Sequence, residues 1–540
     1  MTLLTGGETA VKTLINHGIH TLFGLPGVQN DWLYNALYDA QDQIRVIHTR
    51  HEQGAGYMAL GYTLATGEIS VFNVVPGPGL LNASAALATA YGLNAPVLCL
   101  TGQIPTKQIG QGKGVLHEIP DQLAILRGLT KWSERATSAA DVPGLLHAAF
   151  AELRNGRSRP VALEIPMDVL ADRGAVELAA RPTPVTHPQP DPDLIEQAAK
   201  ALGNAKRPLI FVGSGAQNVS AEVRQLATML EAPVVGYRTG MGIMDGRSYL
   251  SFHLPPAHEL WKTTDAVLLI GTHAREPLKG WGVDDQMTLI KIDIDPATHD
   301  LFHSPNIAIT ARAEETLPLL LERTAAHNQK RASREDELLA IKADWEQQTA
   351  YLEPQKSYLK VIREELGEDG IFVDELTQVG FTSRIVYPVY QPRTYISTGY
   401  MGTLGYGFPT GLGVKVAKPS VPVISVAGDG GFMFAVQELA TAVQHRIGLI
   451  TIVFNNNQYG NVQQMQKNLY GNRVIATDLH NPDFVKLAES FGAQGLQATN
   501  PTDLRRAIQQ GQQTDLPTVI EVPVGDMPSV DRFRKLPKVR

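Results

Sequence analysis

Residues 428–459 read GDGGFMFAVQELATAVQHRIGLITIVFNNNQY, and this stretch decides the fold of the 540-residue chain. The run before it, residues 421–427 (VPVISVA), is short, apolar and rich in β-branched residues, which predicts a buried parallel strand ending at the glycines. Residues 449–454 (LITIVF) predict a second buried strand. Between the strands, apolar residues at helical spacing predict one helix, namely Phe434, Leu439, Ala442 and Val443. The stretch is therefore a strand–helix–strand unit of an α/β fold.

Polar side chains follow both strands of this unit. Asp429 comes after the first strand, and the Asn455-Asn456-Asn457 run comes after the second. Carboxyl ends of neighbouring parallel strands lie together at the ligand-binding edge of an open α/β sheet. A carboxylate, an amide oxygen and backbone carbonyls are the all-oxygen ligands that suit magnesium, and bare glycine backbone lets an anion come close. The pattern predicts a magnesium-held diphosphate; the alternative is an ordinary glycine turn and an asparagine-rich loop.

The combination of GDG, a strand–helix–strand unit and NN resembles the thiamine diphosphate signature. The resemblance implies that the side chains of Asp429 and Asn456 and the backbone carbonyl of Gln458 bind Mg²⁺. Asn457 extends the run by one residue, so a register shifted by one position is the alternative. The residues that the resemblance assigns to the cofactor in this stretch are Gly428, Asp429, Gly430, Gly431, Asn456 and Tyr459.

Composition limits the class of protein. Hydrophobic residues make up 43% of the chain and charged residues 19%, which is typical of globular proteins and excludes disorder. The net charge of −7 gives no basic surface for nucleic acid. A single cysteine, Cys99, excludes a disulfide within the chain and fits a reducing compartment. With no signal-peptide pattern and no apolar run of membrane-spanning length, we expect a cytoplasmic protein that contacts no membrane.

The length suggests three domains. Repeated strand, glycine-turn and helix patterns predict a doubly wound parallel sheet in each. We place them at residues 1–171, 194–325 and 356–540, with linkers at the proline-rich residues 172–193 and the polar residues 326–355. The resemblance gives these domains the order pyrimidine-binding, central and diphosphate-binding.

Glu52 opens a helix directly after a strand, within the sequence HEQGAGYMALGY. Its position alone favours an ordinary first-turn acid, stabilised by the helix dipole. The sequence around it, however, resembles the thiamine enzymes' element HE-x-x-A-x-x-M-A-x-G-Y. The resemblance implies that Glu52 is the catalytic acid that hydrogen-bonds N1′ of the aminopyrimidine and promotes deprotonation of the thiazolium C2. Such a proton relay needs a carboxyl group shielded from water.

Residues 101–118 (TGQIPTKQIGQGKGVLHE) resemble the acetolactate synthase loop that reaches the cofactor. His117 stands where that family has a glutamine, so it is a candidate proton carrier beside the substrate. The alternative is a loop histidine with no role in the chemistry. Val28 and Gln29 align with further pocket residues, and Gln29 is included with Glu52 and His117 in the predicted catalytic set.

Residues 399–407 (GYMGTLGYG) match the family's glycine-rich element that binds the aminopyrimidine. The resemblance implies that the Gly402 carbonyl and the Leu404 amide contact the ring and that the Leu404 side chain wedges the cofactor into a bent shape. Gln378, in the segment VDELTQ, is also assigned to the cofactor. The substrate pocket is predicted to comprise Val28, Gln29, His117, Leu404 and Met465.

The central domain carries only weak signals. Gly213-Ser214-Gly215 follows a predicted strand and could approach a nucleotide, but the pattern is short. Residues 271–276 (GTHARE) stand where flavin-binding acetolactate synthases have Arg-Phe-Asp-Asp-Arg, which argues against FAD. Asp293 and Asp295 are interpreted as structural.

Together these motifs identify the chain as resembling the acetolactate synthase-like thiamine diphosphate enzymes. The expected cofactors are thiamine diphosphate and Mg²⁺, and the expected activity is decarboxylation or carboligation of a 2-oxo acid. The alternatives are a 2-hydroxy ketone lyase of the benzaldehyde lyase type, a 2-hydroxyacyl-CoA lyase, or a non-catalytic nucleotide-binding protein. The substrates would be small 2-oxo acids, aldehydes or 2-hydroxy ketones. The resemblance also implies a homodimer or homotetramer with active sites between subunits.

Overall fold

The computed structural model describes residues 2–178 and 187–540. Three six-stranded sheets, all parallel, are each built from one third of the chain and covered by helices. This confirms the predicted α/β class with three parallel-sheet domains. Their strands are continuous apolar runs, as expected for strands buried on both faces.

The N-terminal sheet has the strand order β3-β2-β4-β5-β7-β6. The elements of this unit are β1 (Thr2–Thr5), α1 (Gly6–Asn16), β2 (Thr21–Gly24), α2 (Asp31–Asp39), β3 (Arg45–His48), α3 (Glu52–Thr66), β4 (Ser70–Val74), α4 (Pro78–Gly92), β5 (Val97–Gln103), α5 (Gln122–Leu129), β6 (Trp132–Arg135), α6 (Val142–Arg154), β7 (Val161–Pro166), α7 (Met167–Ala171) and β8 (Arg173–Val176).

The central sheet has the order β11-β10-β9-β12-β13-β14, in which the first strand lies in the middle and the direction of strand addition reverses beside it. Its elements are α8 (Pro192–Asn204), β9 (Pro208–Val212), α9 (Ser220–Leu230), β10 (Val234–Gly236), β11 (Ser251–Phe252), α10 (Leu254–Trp261), β12 (Ala266–Ile270), β13 (Thr288–Asp293), β14 (Ile307–Thr310), α11 (Ala313–His327) and α12 (Glu335–Gln348).

The C-terminal sheet has the order β16-β15-β17-β18-β20-β19, which repeats the connectivity of the N-terminal sheet. Its elements are α13 (Gln355–Leu366), β15 (Ile371–Val373), α14 (Gln378–Val386), β16 (Tyr395–Ile396), α15 (Gly407–Ala417), β17 (Val423–Gly428), α16 (Asp429–Met433), α17 (Glu438–Gln444), β18 (Ile450–Asn455), α18 (Gly460–Leu469), α19 (Phe484–Ser490), β19 (Gln494–Gln497), α20 (Pro501–Gly511) and β20 (Thr518–Pro523).

Both predicted linkers contain secondary structure. In the first, Arg173–Val176 forms β8, which pairs antiparallel with β1, while residues 179–186 lie outside the described part of the chain. The second contains α12, whose Trp345 donates its Nε1–H to the Ile385 carbonyl at 3.0 Å. Periodicity missed β8 because a four-residue edge strand has little pattern of its own. The exact domain boundaries stay predictions.

The single helix expected after the GDG turn is wrong, because the chain forms the two short helices α16 and α17 with a turn between them. Phe434 lies in that turn and is exposed, whereas Leu439 and Ala442 are buried. The buried Glu438 carboxylate at the start of α17 accepts backbone N–H groups of Arg50 and His51 at 2.9–3.3 Å. This contact joins the start of α17 to the N-terminal unit.

Helices α3 and α15 form the main contact between the N-terminal and C-terminal units. A Cβ on Gly61 would lie 2.1 Å from the Thr410 carbonyl oxygen, and one on Gly413 would lie 1.9 Å from the Met58 carbonyl oxygen. Backbones this close require glycine. The pairing of Gly61 with Thr410 and of Met58 with Gly413 also shows that the two helices run antiparallel.

Candidate active site

A cavity of about 280 Å³ lies at the carboxyl ends of β15, β17 and β18. This is the edge at which open parallel sheets bind ligands, beside the reversal of strand order between β15 and β17. All residues predicted to bind the cofactor or the metal line it, namely Gln378, Gly402, Leu404, Gly428, Asp429, Gly430, Gly431, Asn456, Gln458 and Tyr459.

Asp429 is the charged group of the predicted metal site. Its carboxylate is 2% exposed and accepts a hydrogen bond from Nδ2 of Asn481 at 2.7 Å. Burial raises the pKa of Asp429, with the hydrogen bond from Asn481 opposing the shift. In the part of the chain that the structure describes, no Lys, Arg or His forms an ion pair with it. A buried carboxylate without a cation is costly, so a hard divalent cation fits this position.

The three asparagines after β18 have different contacts. Asn455 donates to Glu521 Oε1 at 2.8 Å and accepts from Asn481, while Asn457 lies outside the cavity and also contacts Asn481. Among the described residues the Asn456 side chain has no hydrogen-bond partner, and it lines the cavity. These contacts favour Asn456 over Asn457 as the amide ligand. Together with Asp429 and the Gln458 carbonyl, Asn456 completes a set that suits Mg²⁺.

Glycines form the walls that a diphosphate-bearing cofactor would approach. Gly402 has φ +62°, and a Cβ there would meet only Leu376 Cδ1 at 3.8 Å. A Cβ on Gly430 would lie 2.5 Å from the Tyr459 ring, and one on Gly431 would lie 2.3 Å from Glu375 Oε1. The glycines at 430 and 431 are thus required by the packing of Tyr459 and Glu375, whereas the wall at Gly402 is open. The open wall and the oxygen ligands beside it fit the cofactor.

Glu375 is a site residue that sequence reasoning missed. Its carboxylate is 1% exposed and accepts the backbone N–H groups of Gly405 at 2.7 Å and Gly407 at 3.1 Å. It thereby holds the glycine-rich loop that carries Gly402 and Leu404. Burial raises the pKa of Glu375 to about 7, opposed by these two hydrogen bonds. The only sequence signal for Glu375 was its position next to another acid, Asp374, in the segment VDELTQ. Its role could not be predicted because the backbone groups that it binds lie about thirty residues further along the chain.

Replacing Glu375 with glutamine should change how stability depends on pH. A carboxyl whose pKa rises from 4.5 to about 7 on folding binds its proton more tightly in the folded state. Its contribution is therefore complete below pH 4.5 and is lost as the pH rises through about 7, a loss of about 3 kcal/mol. The thermal midpoint of the cofactor-free wild type should fall relative to Glu375→Gln across this range. Parallel curves of thermal midpoint against pH for the two proteins would contradict the prediction. Glu68→Gln, which changes an exposed glutamate, is the control and should give a curve parallel to that of the wild type.

The second group of predicted residues lies at the carboxyl ends of the N-terminal strands. Glu52 is 9% exposed, and its Oε2 accepts from Asn82 Nδ2 at 2.9 Å. A Cβ on Gly79 would lie 3.4 Å from Glu52 Oε1, so the Pro76–Gly79 turn packs against the acid. The carboxyl group is thus shielded from water, as a proton relay requires. Asn82 on α4 was not identified from sequence.

His117 and Gln29 form a hydrogen-bonded pair beside this turn. Nδ1 of His117 lies 2.8 Å from Oε1 of Gln29, whose Nε2 donates to the Leu116 carbonyl at 3.0 Å. His117 has φ +69°, and its carbonyl oxygen would be 2.3 Å from a Cβ on Gly77. The predicted catalytic residues Glu52, His117 and Gln29 therefore lie around one turn of the N-terminal unit, with exposed Val28 next to them.

Within one chain the two groups do not meet. Glu52 does not line the 280 Å³ cavity, and neither do Gln29 or His117. Because α3 and α15 are antiparallel, the beginning of α3 lies toward the end of α15, away from the loop before Gly407. Met465 also lies outside the cavity, on an exposed position of α18.

A crevice of about 260 Å³ lies at the carboxyl ends of the central strands. The Arg157 side chain contacts Asn94 Oδ1 at 2.9 Å, His273 Nε2 at 2.7 Å and Asp295 Oδ2 at 3.4 Å. Gly271 packs on Gly215, since a Cβ added to Gly271 would lie 2.4 Å from Gly215 Cα. Asp293 accepts the Asp295 backbone N–H, which gives this pair a structural contact.

Two features are absent from the described part of the chain. In residues 2–178 and 187–540, no cluster of three or more His, Cys, Asp and Glu side chains could hold a metal ion. Over the same residues, no helix has both the length and the apolar character needed to cross a membrane. The predicted magnesium site is consistent with the first finding, since only one of its ligands is a carboxylate.

The fold and the cavity define an α/β protein with a ligand site at the carboxyl ends of its C-terminal strands. Family models match all three parts of the chain: the N-terminal TPP binding domain of thiamine pyrophosphate enzymes over residues 4–125, their central domain over 195–320 and their C-terminal TPP binding domain over 376–522. Each match falls within one predicted domain. The chain belongs to the thiamine pyrophosphate enzyme family, in its acetolactate synthase-like branch.

Similar proteins include a probable 2-ketoarginine decarboxylase of Pseudomonas aeruginosa, 32% identical over 96% of this chain and 94% of the relative. A probable acetolactate synthase large subunit of Methanocaldococcus jannaschii is 31% identical over 96% of this chain and 92% of its own length. The acetolactate synthase isozyme 3 large subunit of Escherichia coli is 29% identical over 94% and 92%. These relatives are enzymes of the decarboxylase and carboligase type, so this chain is an enzyme and the alternative of a non-catalytic nucleotide-binding protein is wrong.

Proposed function

We propose that the protein is a thiamine diphosphate- and Mg²⁺-dependent enzyme that decarboxylates a 2-oxo acid or joins its acyl unit to a carbonyl acceptor. The observation that carries this proposal is the cavity in which Asp429, Asn456 and the Gln458 carbonyl lie beside the glycine walls. When bound there, thiamine diphosphate supplies a nucleophilic carbon and an electron sink for breaking or forming the bond next to a carbonyl.

The chain's own groups have distinct parts in this proposal. Asp429, Asn456 and Gln458 would hold Mg²⁺, and the loop fixed by Glu375 would orient the aminopyrimidine through Gly402 and Leu404. Glu52 would exchange a proton with the ring, and its low exposure excludes water from that step. His117 would donate or accept a proton at the substrate oxygen.

We further propose that two copies of the chain complete each active site. In one chain the Glu52 cluster and the cofactor cavity lie apart, although the relay acid must touch the cofactor. Exposed apolar side chains flank both groups, as expected for surfaces that a second copy covers. Near the N-terminal cluster they are Val28, Leu81 and Leu116, and near the cavity they are Met433, Phe434 and Val462. A homodimer is the smallest assembly that joins the two surfaces, and a tetramer would be a pair of such dimers.

The central crevice argues against a tightly held flavin. Arg157 already bridges Asn94, His273 and Asp295 there, and the space left is about 260 Å³. We therefore propose thiamine diphosphate and Mg²⁺ as the only cofactors. Cytoplasmic location also remains a proposal, supported by the buried free thiol of Cys99.

A substrate screen tests the proposed reaction. Purified enzyme with thiamine diphosphate and Mg²⁺ would be given 2-oxo acids and 2-hydroxy ketones, with CO₂, aldehyde and acyloin all measured. CO₂ release from a 2-oxo acid is the expected result. Aldehyde release from 2-hydroxy ketones without CO₂ from any 2-oxo acid would instead favour a lyase of the benzaldehyde lyase or 2-hydroxyacyl-CoA type.

Replacing His117 with glutamine should lower kcat by about 10²-fold or more, while KM changes little. Glutamine can keep the hydrogen bond to Gln29 but cannot carry a proton at neutral pH. Steady-state kinetics on the best substrate of the screen measures both constants. Exposed His20→Gln is the matched control. Wild-type kcat in the His117 variant would leave His117 as a loop histidine.

A further inference from the structure

A separate cavity of about 240 Å³ lies where the central unit meets the C-terminal unit. Its walls come from the loop after β10, the start of α10, one face of α12 and the residues that follow α14. It shares no lining residue with the cofactor cavity. Polar and apolar atoms contribute about equally to the wall, and its large side chains are Met241, Phe252, Trp345 and Tyr387.

Lys342 on α12 is the cation of this cavity. Its Nζ donates to the Ser248 carbonyl at 2.6 Å and lies 5.4 Å from the centre of the Phe252 ring. The only carboxylate among the lining residues is Glu346, which is paired with Lys356 at 2.5 Å. Among the described residues Lys342 therefore has no acidic partner, and burial lowers its pKa to about 8. A charge kept in such a position without an anion is unfavourable.

Two further polar groups line the same space without partners. The His253 ring has no hydrogen bond within the described residues, and burial followed by the nearby Lys342 charge lowers its pKa to about 4. The hydroxyl of Tyr387, a residue that is 1% exposed, is likewise unpaired there. Buried polar groups are normally satisfied, so the buried, unpaired Tyr387 hydroxyl beside this cavity indicates a ligand that would satisfy it.

We propose that this cavity binds a small organic monocarboxylate with an aromatic or branched apolar body. The carboxylate would pair with Lys342 and accept a hydrogen bond from the Tyr387 hydroxyl, and the body would pack on Phe252, Trp345 and Met241. One cation matches one negative charge, and the Glu346 carboxylate on the same wall disfavours a ligand with a second negative charge, such as phosphate or a dicarboxylate. Pockets for drug-sized ligands measure about 300–1,000 Å³, so a volume of about 240 Å³ suits a smaller metabolite.

The position of the cavity gives it a route to the active site. Val386, the last residue of α14, lines this cavity, whereas Gln378, the first residue of α14, lines the cofactor cavity. One nine-residue helix thus touches both ligand sites.

Phenylacetate is a suitable probe, since it has an aromatic body and one carboxylate but no 2-oxo group to react. Calorimetry on the full-length protein should show binding that weakens at least tenfold in Lys342→Met and is kept within a few-fold in Lys342→Arg. Lys360→Met, which removes an exposed lysine of α13, should bind like wild type. Tyr387→Phe should weaken binding several-fold without lowering the thermal midpoint, because it removes only an unpaired hydroxyl.

Binding must also survive in Asp429→Ala, whose substitution lies in the other cavity. Loss of phenylacetate binding in that variant would place the probe in the cofactor site and overturn the proposal. Absence of binding to wild type, or equal affinity in wild type and Lys342→Met, would overturn it as well. If Lys342→Met does not fold, equal affinity in wild type and Tyr387→Phe overturns it.

Discussion

Thiamine diphosphate should no longer bind measurably once Asp429 is replaced with alanine. Asp429 is the only charged group in the predicted ligand set, and without Mg²⁺ the negative diphosphate would face the buried glycine walls with no cation. Calorimetric titration of the purified protein with cofactor and Mg²⁺ measures the effect directly. Treating the wild type with EDTA should also abolish cofactor binding. EDTA removes Mg²⁺ itself, whereas Asp429→Ala removes the side chain that holds it.

Asp515→Ala provides the matched control. Asp515 lies in the same domain but is exposed and pairs with Arg446 at 2.6 Å, away from the cavity. That variant should bind the cofactor like wild type. Undiminished affinity in Asp429→Ala, or in wild type with EDTA, would show that the diphosphate is held without this metal site.

The second large effect concerns Glu52, whose replacement with glutamine should slow exchange of the cofactor C2 proton by about 10²–10⁴-fold. The side-chain oxygen of glutamine can still accept the hydrogen bond from Asn82, but the amide cannot take up and return a proton. Cofactor affinity should stay near the wild-type value, since the metal site is untouched. Proton NMR of samples quenched during exchange in deuterium oxide gives the rate.

Mixing two inactive variants tests whether Glu52 and the cavity act across subunits. If Glu52→Gln and Asp429→Ala chains exchange freely, about half of the dimers contain one of each, and one of their two sites is intact. Activity should then recover to about one quarter of wild type. No recovery after demonstrated subunit exchange would mean that each chain completes its own site.

Glu68→Gln serves as the control for the exchange experiment, because Glu68 follows α3 but is exposed. It should leave the C2 exchange rate unchanged. A wild-type rate in Glu52→Gln would leave Glu52 as a helix-start acid that has no part in the proton transfer.

The sequence was sufficient for the features encoded in short, contiguous segments. Alternating strands, glycine turns and helices predicted the three sheets, and the GDG and NN segments predicted which residues line the cofactor cavity. Each of those residues follows directly from the end of a buried strand, and strand ends are visible as apolar runs that stop at glycine or asparagine.

Contacts between distant segments could not be predicted in the same way. Glu375 holds a loop thirty residues later, and Glu438, the first residue of α17, accepts the backbone N–H groups of Arg50 and His51. Asn481, which supports Asp429, comes from a loop fifty-two residues further along. The pair Asp374-Glu375 was the one local signal for Glu375, and the sequence around Glu438 or Asn481 does not distinguish either from a surface residue. The burial that gives these three residues their roles arises only on folding.

The close packing of α3 on α15 bears on how relatives of this enzyme could be recombined. Gly61 and Gly413 let two backbones touch, so neither helix can accept a partner that carries a larger residue at the matching position. A chimaera that takes its N-terminal unit from one relative and its C-terminal unit from another would be forced apart at this point unless both parents supply the glycine. Crossover points for such hybrids therefore belong in loops outside the helix pair, with α3 and α15 inherited from one parent.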